Sequence, residues 1–198
     1  IAGSGIAAYR AIDAMTPVSF AQAERQSVTV ADRDNHLLRA FTTVDGRWRL
    51  PVMPEQVDQR YLKLLFAFED RRFYEHHGVD LLALSRAVLQ GIEHRRIVSG
   101  ASTLTMQVSR LLDGRHERTA IGKVRQIFRA IAIERKRSKR DILSLYLRLA
   151  PFGGNIEGVR AASLAYFGKE PRRLSLAQAA LLVALPQSPE ARRPDRFP

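Results

Sequence analysis

The spacing of apolar residues changes character near Pro54. Upstream, Val28-Thr29-Val30-Ala31 and Leu37-Leu38-Arg39-Ala40-Phe41 flank Asp32-Arg33-Asp34-Asn35, which predicts two short strands around a turn. Asp45-Gly46 marks a second tight turn, and Trp48-Arg49-Leu50 predicts a further strand before Pro51. The stretch from Tyr9 to about Gln26 is polar and broken by Pro17. Downstream of Pro54 the pattern reads as helix throughout.

Val57, Tyr61, Leu64, Leu65 and Phe68 form one apolar stripe and predict a helix over Glu55 to Phe68. Asp80 is placed to cap the next helix, LLALSRAVLQGIEH, which is apolar on more than one side. Ser102 or Thr103 caps LTMQVSRLL, and Asp113-Gly114 ends it. Ile121, Val124, Phe128, Ile131 and Ala132 predict a long helix to about Arg137. Ser138 with Asp141 starts another, carrying Ile142, Leu145, Tyr146 and Leu149. Glu157 to Phe167 reads as a helix closed by Gly168, and Ser175 with Gln178 forms a capping box before LAQAALLVAL. The terminal EARRPDRFP is rich in Pro and Arg and reads as a linker.

Composition narrows the class. At 198 residues, 45% hydrophobic and 26% charged, the chain is long enough for one folded domain, with room for two lobes. A net charge of +12, with 27 of 32 basic residues being arginine, favours a phosphate-bearing ligand, an anionic membrane surface or nucleic acid as partner. The absence of cysteine excludes disulfides and thiolate chemistry. No run of 18 apolar residues is present, and the small, apolar IAGSGIAAY at the start reads either as the trailing end of a membrane anchor or as a cleavage remnant.

Candidate chemistry concentrates in EDRRFYEHHGVD, residues 69–80, which gathers Glu69, Asp70, Glu75, His76, His77 and Asp80. Glu69 follows the last residue of an apolar stripe, so a partly desolvated carboxylate there suits a general acid or base. The bland alternative is a solvated charge cluster on a surface loop. His76 and His77 are adjacent, point differently and cannot share one metal ion as an i, i+4 pair can. Ser102 and Thr103 stand at a helix start, where hydroxyls and unpaired backbone N–H groups favour an anion. Arg110, Arg118, Lys123 and Arg125 follow. A carboxylate base near several such cations is what glycosyl transfer from a pyrophosphate donor requires, although each cation alone reads as a solvated helix face.

These stretches resemble a known family, the bacterial peptidoglycan glycosyltransferases of the class A penicillin-binding proteins. EDRRFYEHHGVD resembles the family's EDxxFxxHxGxD, and GASTLTMQVSR its GxSTxxxQxxK, with Arg110 at the Lys position. KVRQIFRAIAIERKRSKRDILSLYLR, PFGGNIEGVRAASLAYFGK and LSLAQAALLVALPQSP follow in the family's order, so the resemblance covers about residues 28–198. RLAPFGG and RPDRFP further resemble the 1C-type branch.

The resemblance implies a mainly α, lysozyme-like bilobal glycosyltransferase fold with a small N-terminal β region. It divides the chain into the end of an anchor or linker (1–27), the glycosyltransferase domain (28–190) and a linker toward a transpeptidase domain (191–198). It implies that Glu69 is the general base and that Asp70, Phe73 and His76 frame it. Ser102, Thr103, Gln107 and Arg110 match the donor-side motif, and Arg118 and Lys123 match cations near the pyrophosphate. The implied partners are lipid II, the growing lipid-linked glycan strand, the membrane surface and other cell-wall synthesis proteins, with no nucleic acid. The implied location is the periplasmic face of the bacterial inner membrane, through an N-terminal anchor mostly outside this chain.

The family's RKxxE becomes Gly122-Lys123-Val124-Arg125-Gln126 here. Arg125 is a substitute for the arginine missing at Gly122. The neutral amide of Gln126 replaces a carboxylate, so no cofactor is expected as a requirement and a divalent cation, Mg or Mn, loses a charged ligand. Arg148 stands where the family has Asn. A muramidase or lytic transglycosylase would share the fold and a catalytic Glu; a degenerate cell-wall scaffold or a basic nucleic-acid-binding module would need no chemistry.

Overall fold

A computed structural model describes residues 18–34, 36–94, 102–114 and 119–196. In chain order its elements are α1 (Ala21–Glu24), β1 (Thr29–Ala31), β2 (Leu37–Ala40), β3 (Trp48–Arg49), a 3-10 turn (Pro54–Gln56), α2 (Gln59–Glu69), α3 (Leu81–His94), α4 (Leu104–Asp113), α5 (Ala120–Lys136), α6 (Lys139–Leu149), β4 (Ile156–Glu157), α7 (Val159–Phe167), α8 (Leu176–Ala184) and a second 3-10 turn (Leu185–Gln187). The expected mainly α architecture with a small β region is present. The apolar start of the chain lies outside the described residues. Among those described, no helix is long and apolar enough to cross a membrane.

The described residues divide into two compact units, one drawn from the ranges 1–20 and 69–142 and the other from 21–68 and 143–198. In the second unit β1 and β2 pair antiparallel, with an irregularity between Val30 and Ala31. β3 pairs in parallel with β4, Trp48 opposite Ile156 and Arg49 opposite Glu157. This corrects the expectation of a helix from Glu157. The reason is Gly158, whose φ of +86° breaks the chain before α7, and where an added Cβ would lie 2.7 Å from the Arg148 carbonyl oxygen.

Arg49 is fully buried in this unit. Its Nε and Nη2 both donate to Glu157 Oε2, at 2.8 and 2.5 Å, and its Nη1 donates to the carbonyls of Gln22 and Arg25. Tyr61, Leu65, Tyr146, Leu147, Phe152, Val159, Leu182 and Leu185 supply buried apolar bulk. The helix expected over 55–68 splits into a 3-10 turn and α2, and Phe68, expected in its buried stripe, is 64% exposed. The expected linker is partly folded onto this unit. Glu190 Oε1 accepts the Gly154 N–H at 2.6 Å, and Arg192 donates to the Ala184 carbonyl at 2.8 Å.

In the first unit α4 lies against α5, and the 70–80 loop packs on the α5 backbone. Gly78 makes that approach: its φ is +95°, and a Cβ would sit 2.8 Å from the Ala130 carbonyl carbon and oxygen. Asp80 caps α3 as its position predicted, accepting the Ala83 N–H at 2.7 Å, and is held by Arg72, whose Nε donates at 2.9 Å. The first apolar residues of α3, Leu81 and Leu82, are 73% and 62% exposed rather than in the core.

Candidate active site

Glu69 is the last residue of α2 and is half-buried. Its Oε2 accepts a 2.8 Å hydrogen bond from the Gln107 side-chain amide on α4. Phe68, the residue before it, is turned to solvent, and the Gln107 amide orients the carboxylate.

Asp70, the next residue, is buried. Both its oxygens lie 3.0 Å from His76 Nε2, and Oδ2 also accepts the Leu104 N–H at 2.9 Å. The Gly78 N–H donates to His76 Nδ1 at 3.2 Å. Nδ1 is therefore the acceptor and Nε2 carries the proton directed at Asp70, which fixes the tautomer. His77 is exposed, so the adjacent histidines do diverge.

The start of α4 differs from expectation. Thr103 caps it, accepting from the Met106 N–H at 3.1 Å, but its hydroxyl also donates to the Gly78 carbonyl at 2.6 Å and is buried. The Leu104 N–H is taken by Asp70. The anion held at this helix terminus is thus the protein's own carboxylate, and Thr103 is a latch between α4 and the loop. Phe73 is also buried, edge-on to His76 with ring centroids 6.4 Å apart.

A second cluster forms around Lys123 on α5. Its ammonium donates to Ser102 Oγ. Burial, and then repulsion from the Arg110 guanidinium, hold the Lys123 pKa below the ordinary lysine value. Arg110 is exposed and three residues beyond Gln107, so one face of α4 carries both the amide on Glu69 and the cation beside Lys123. Arg110, Gly122, Arg125 and Gln126 line one narrow crevice with Ser109, Asp113 and Arg129. The carboxylate there, Asp113, is paired to Arg129 at 2.5 Å. A donor set so rich in cations does not fit a divalent metal ion. Among the described residues, the trio of His and carboxylate side chains whose ligand atoms all lie within 4.8 Å of one another is the exposed Asp32, Asp34 and His36. Arg118 lies outside the described residues.

Sequence reasoning missed Glu134 and Lys139, whose pair at 2.7 Å reaches this site through Phe73 and Thr105. The signal was present in their positions at the ends of successive helices.

With this geometry in view, comparison with known proteins gives a consistent answer. The sequence matches the Transglycosylase family over residues 34–198. The chain belongs to that family. Its fold class is accordingly the lysozyme-like one of the transglycosylase domain. Penicillin-binding protein 1C of Escherichia coli (strain K12) is 48% identical over 186 residues, 94% of this chain and 24% of that protein. Penicillin-binding protein 1F of Bacillus subtilis (strain 168) is 36% identical over 150 residues, 76% of this chain and 21% of that one. Penicillin-binding protein 1A of Vibrio cholerae serotype O1 is 36% identical over 165 residues, 83% of this chain and 20% of that one. This transglycosylase chain therefore spans about a quarter or less of the length of these relatives.

Proposed function

We propose that the chain is a peptidoglycan glycosyltransferase that polymerises lipid II into glycan strands. The observation that carries the reading is α4, which orients the Glu69 carboxylate through Gln107 and, three residues on, sets Arg110 beside the partly buried Lys123. Glu69 takes the proton from the 4-hydroxyl of the acceptor's GlcNAc, and that oxygen attacks C1 of the lipid-linked donor. The C1–O bond to phosphate breaks with inversion, and undecaprenyl pyrophosphate leaves with the bonding pair. Lys123, Arg110 and Arg118 balance the charge that develops on the leaving group, with Ser102 holding the Lys123 ammonium and Arg125 and Gln126 completing the donor side. Asp70 and His76 lock the turn that carries Glu69. No step runs through a metal.

The same reading places the domain at residues 28–190, on the periplasmic face of the inner membrane, with lipid II, the lipid-linked strand and other wall-synthesis proteins as partners. A muramidase is not favoured, because cleavage has no use for cations gathered around a pyrophosphate. The test is incubation of the detergent-solubilised chain with labelled lipid II, with products resolved by length. A ladder of polymers is expected from the wild type and none from Glu69→Gln; near-normal polymerisation by Glu69→Gln sinks the assignment.

A further inference from the structure

Glu134 and Lys139 stand at the joint between α5 and α6, each at the less favourable end of its helix. Glu134 lies in the last turn of α5, where the helix dipole disfavours a carboxylate, and Lys139 opens α6, where it disfavours an ammonium. Helix stability does not select this arrangement. The two side chains are largely out of water, 6% and 19% exposed, with Lys139 Nζ 2.7 Å from Glu134 Oε1. The same oxygen accepts the hydroxyl of Thr105, a fully buried residue of α4, at 2.6 Å. Lys139 Nζ also lies 4.6 Å from the centroid of the Phe73 ring. One ion pair therefore ties α4, α5, α6 and the 70–80 loop together.

Two lines of contact run from the pair to Glu69. Through Phe73 the first reaches His76, at 6.4 Å between ring centroids, and then Asp70, the neighbour of Glu69. Through Thr105 the second reaches Gln107, two residues along α4, whose amide holds the Glu69 carboxylate. We infer that the Glu134–Lys139 pair is a positioning brace for Glu69. It touches no substrate; it fixes the α4 donor and the Asp70 turn in one geometry. The inference rests on the reading of Glu69 as the base and adds residues to it.

A buried ion pair seldom stabilises a fold more than a neutral pair of the same shape, so a purely structural role survives neutralisation. The double variant E134Q/K139M keeps an acceptor for Thr105 and the bulk of the lysine stem but removes both charges. We expect it to melt at or above the wild-type temperature while kcat on lipid II falls about ten- to a hundredfold with KM little changed. K139R, which keeps a cation over Phe73 and a donor to Glu134, is expected to retain most of the rate. The aromatic carbon resonances of Phe73 should shift in E134Q/K139M and stay near wild type in K139R. Wild-type kcat in the double variant overturns the brace, as does a K139R rate as low as that of the double variant. A wild-type chain inactive on lipid II would instead remove the Glu69 reading. The Phe73 resonances then decide the brace alone, and unshifted rings overturn it.

Discussion

Arg49 in the second unit and Lys123 in the first are both cations withdrawn from water, Arg49 completely and Lys123 in part. Arg49 meets a carboxylate twice and two backbone carbonyls besides, so its charge and its donors are matched. Lys123 meets a neutral hydroxyl and a neighbouring cation. Burial with full compensation makes a staple. Burial with a like charge alongside makes a site that gains when an anion arrives. The same contrast separates a residue that the fold uses from one that the fold carries at a cost.

The largest effect expected of this contrast is on stability. Arg49→Met strips Glu157 of its buried partner, leaving it the looser Arg47 contact at 3.6 Å, removes the donor to two carbonyls, and should cost about 3–5 kcal/mol, read from urea unfolding. A loss under about 1 kcal/mol would mean the compensation is not what holds Arg49 in place. Lys123→Met should act the other way on the two observables. The relieved burial should raise the melting temperature, while kcat/KM for lipid II falls about a hundred- to a thousandfold; a destabilised variant with unchanged kinetics would make Lys123 a second staple. Arg110→Ala should be milder, about fivefold in donor use because Arg110 is exposed, and should raise the Lys123 pKa, measured on its side-chain nitrogen.

The smallest effect is a pH dependence. The folded Lys123 pKa is lowered, so the folded chain binds this proton less readily than the unfolded one. Its stability penalty is complete below the folded pKa and disappears as pH rises to the ordinary lysine value. The melting-temperature advantage of Lys123→Met should therefore shrink on moving from neutral into alkaline buffer.

What was legible in the sequence was local. Thr103, Ser138 and Ser175 announce helix starts within three residues of themselves, and the accepted N–H groups lie where those positions predict. The motif around Glu69 was legible because its partners Asp70, His76 and Gly78 are close in sequence. The Arg49–Glu157 pair spans 108 residues and brings β4 into a stretch whose own pattern reads as helix, so no window could reveal it. The free helix terminus expected before Leu104 was a local inference defeated by a distant carboxylate, Asp70, 34 residues upstream. Glu134 and Lys139 were visible but unremarked, since a charge at the wrong end of a helix is informative only once its partner is known.

The bond from the Leu104 N–H to Asp70 has a consequence for how the domain matures. Until α4 has formed, Asp70 lacks this donor, and the turn that aims Glu69 is held by the local His76 contact without its anchor on the helix. A partly folded chain would therefore have a misaligned Glu69 carboxylate. Under the proposed reading of Glu69 as the base, its alignment arrives only with completed folding.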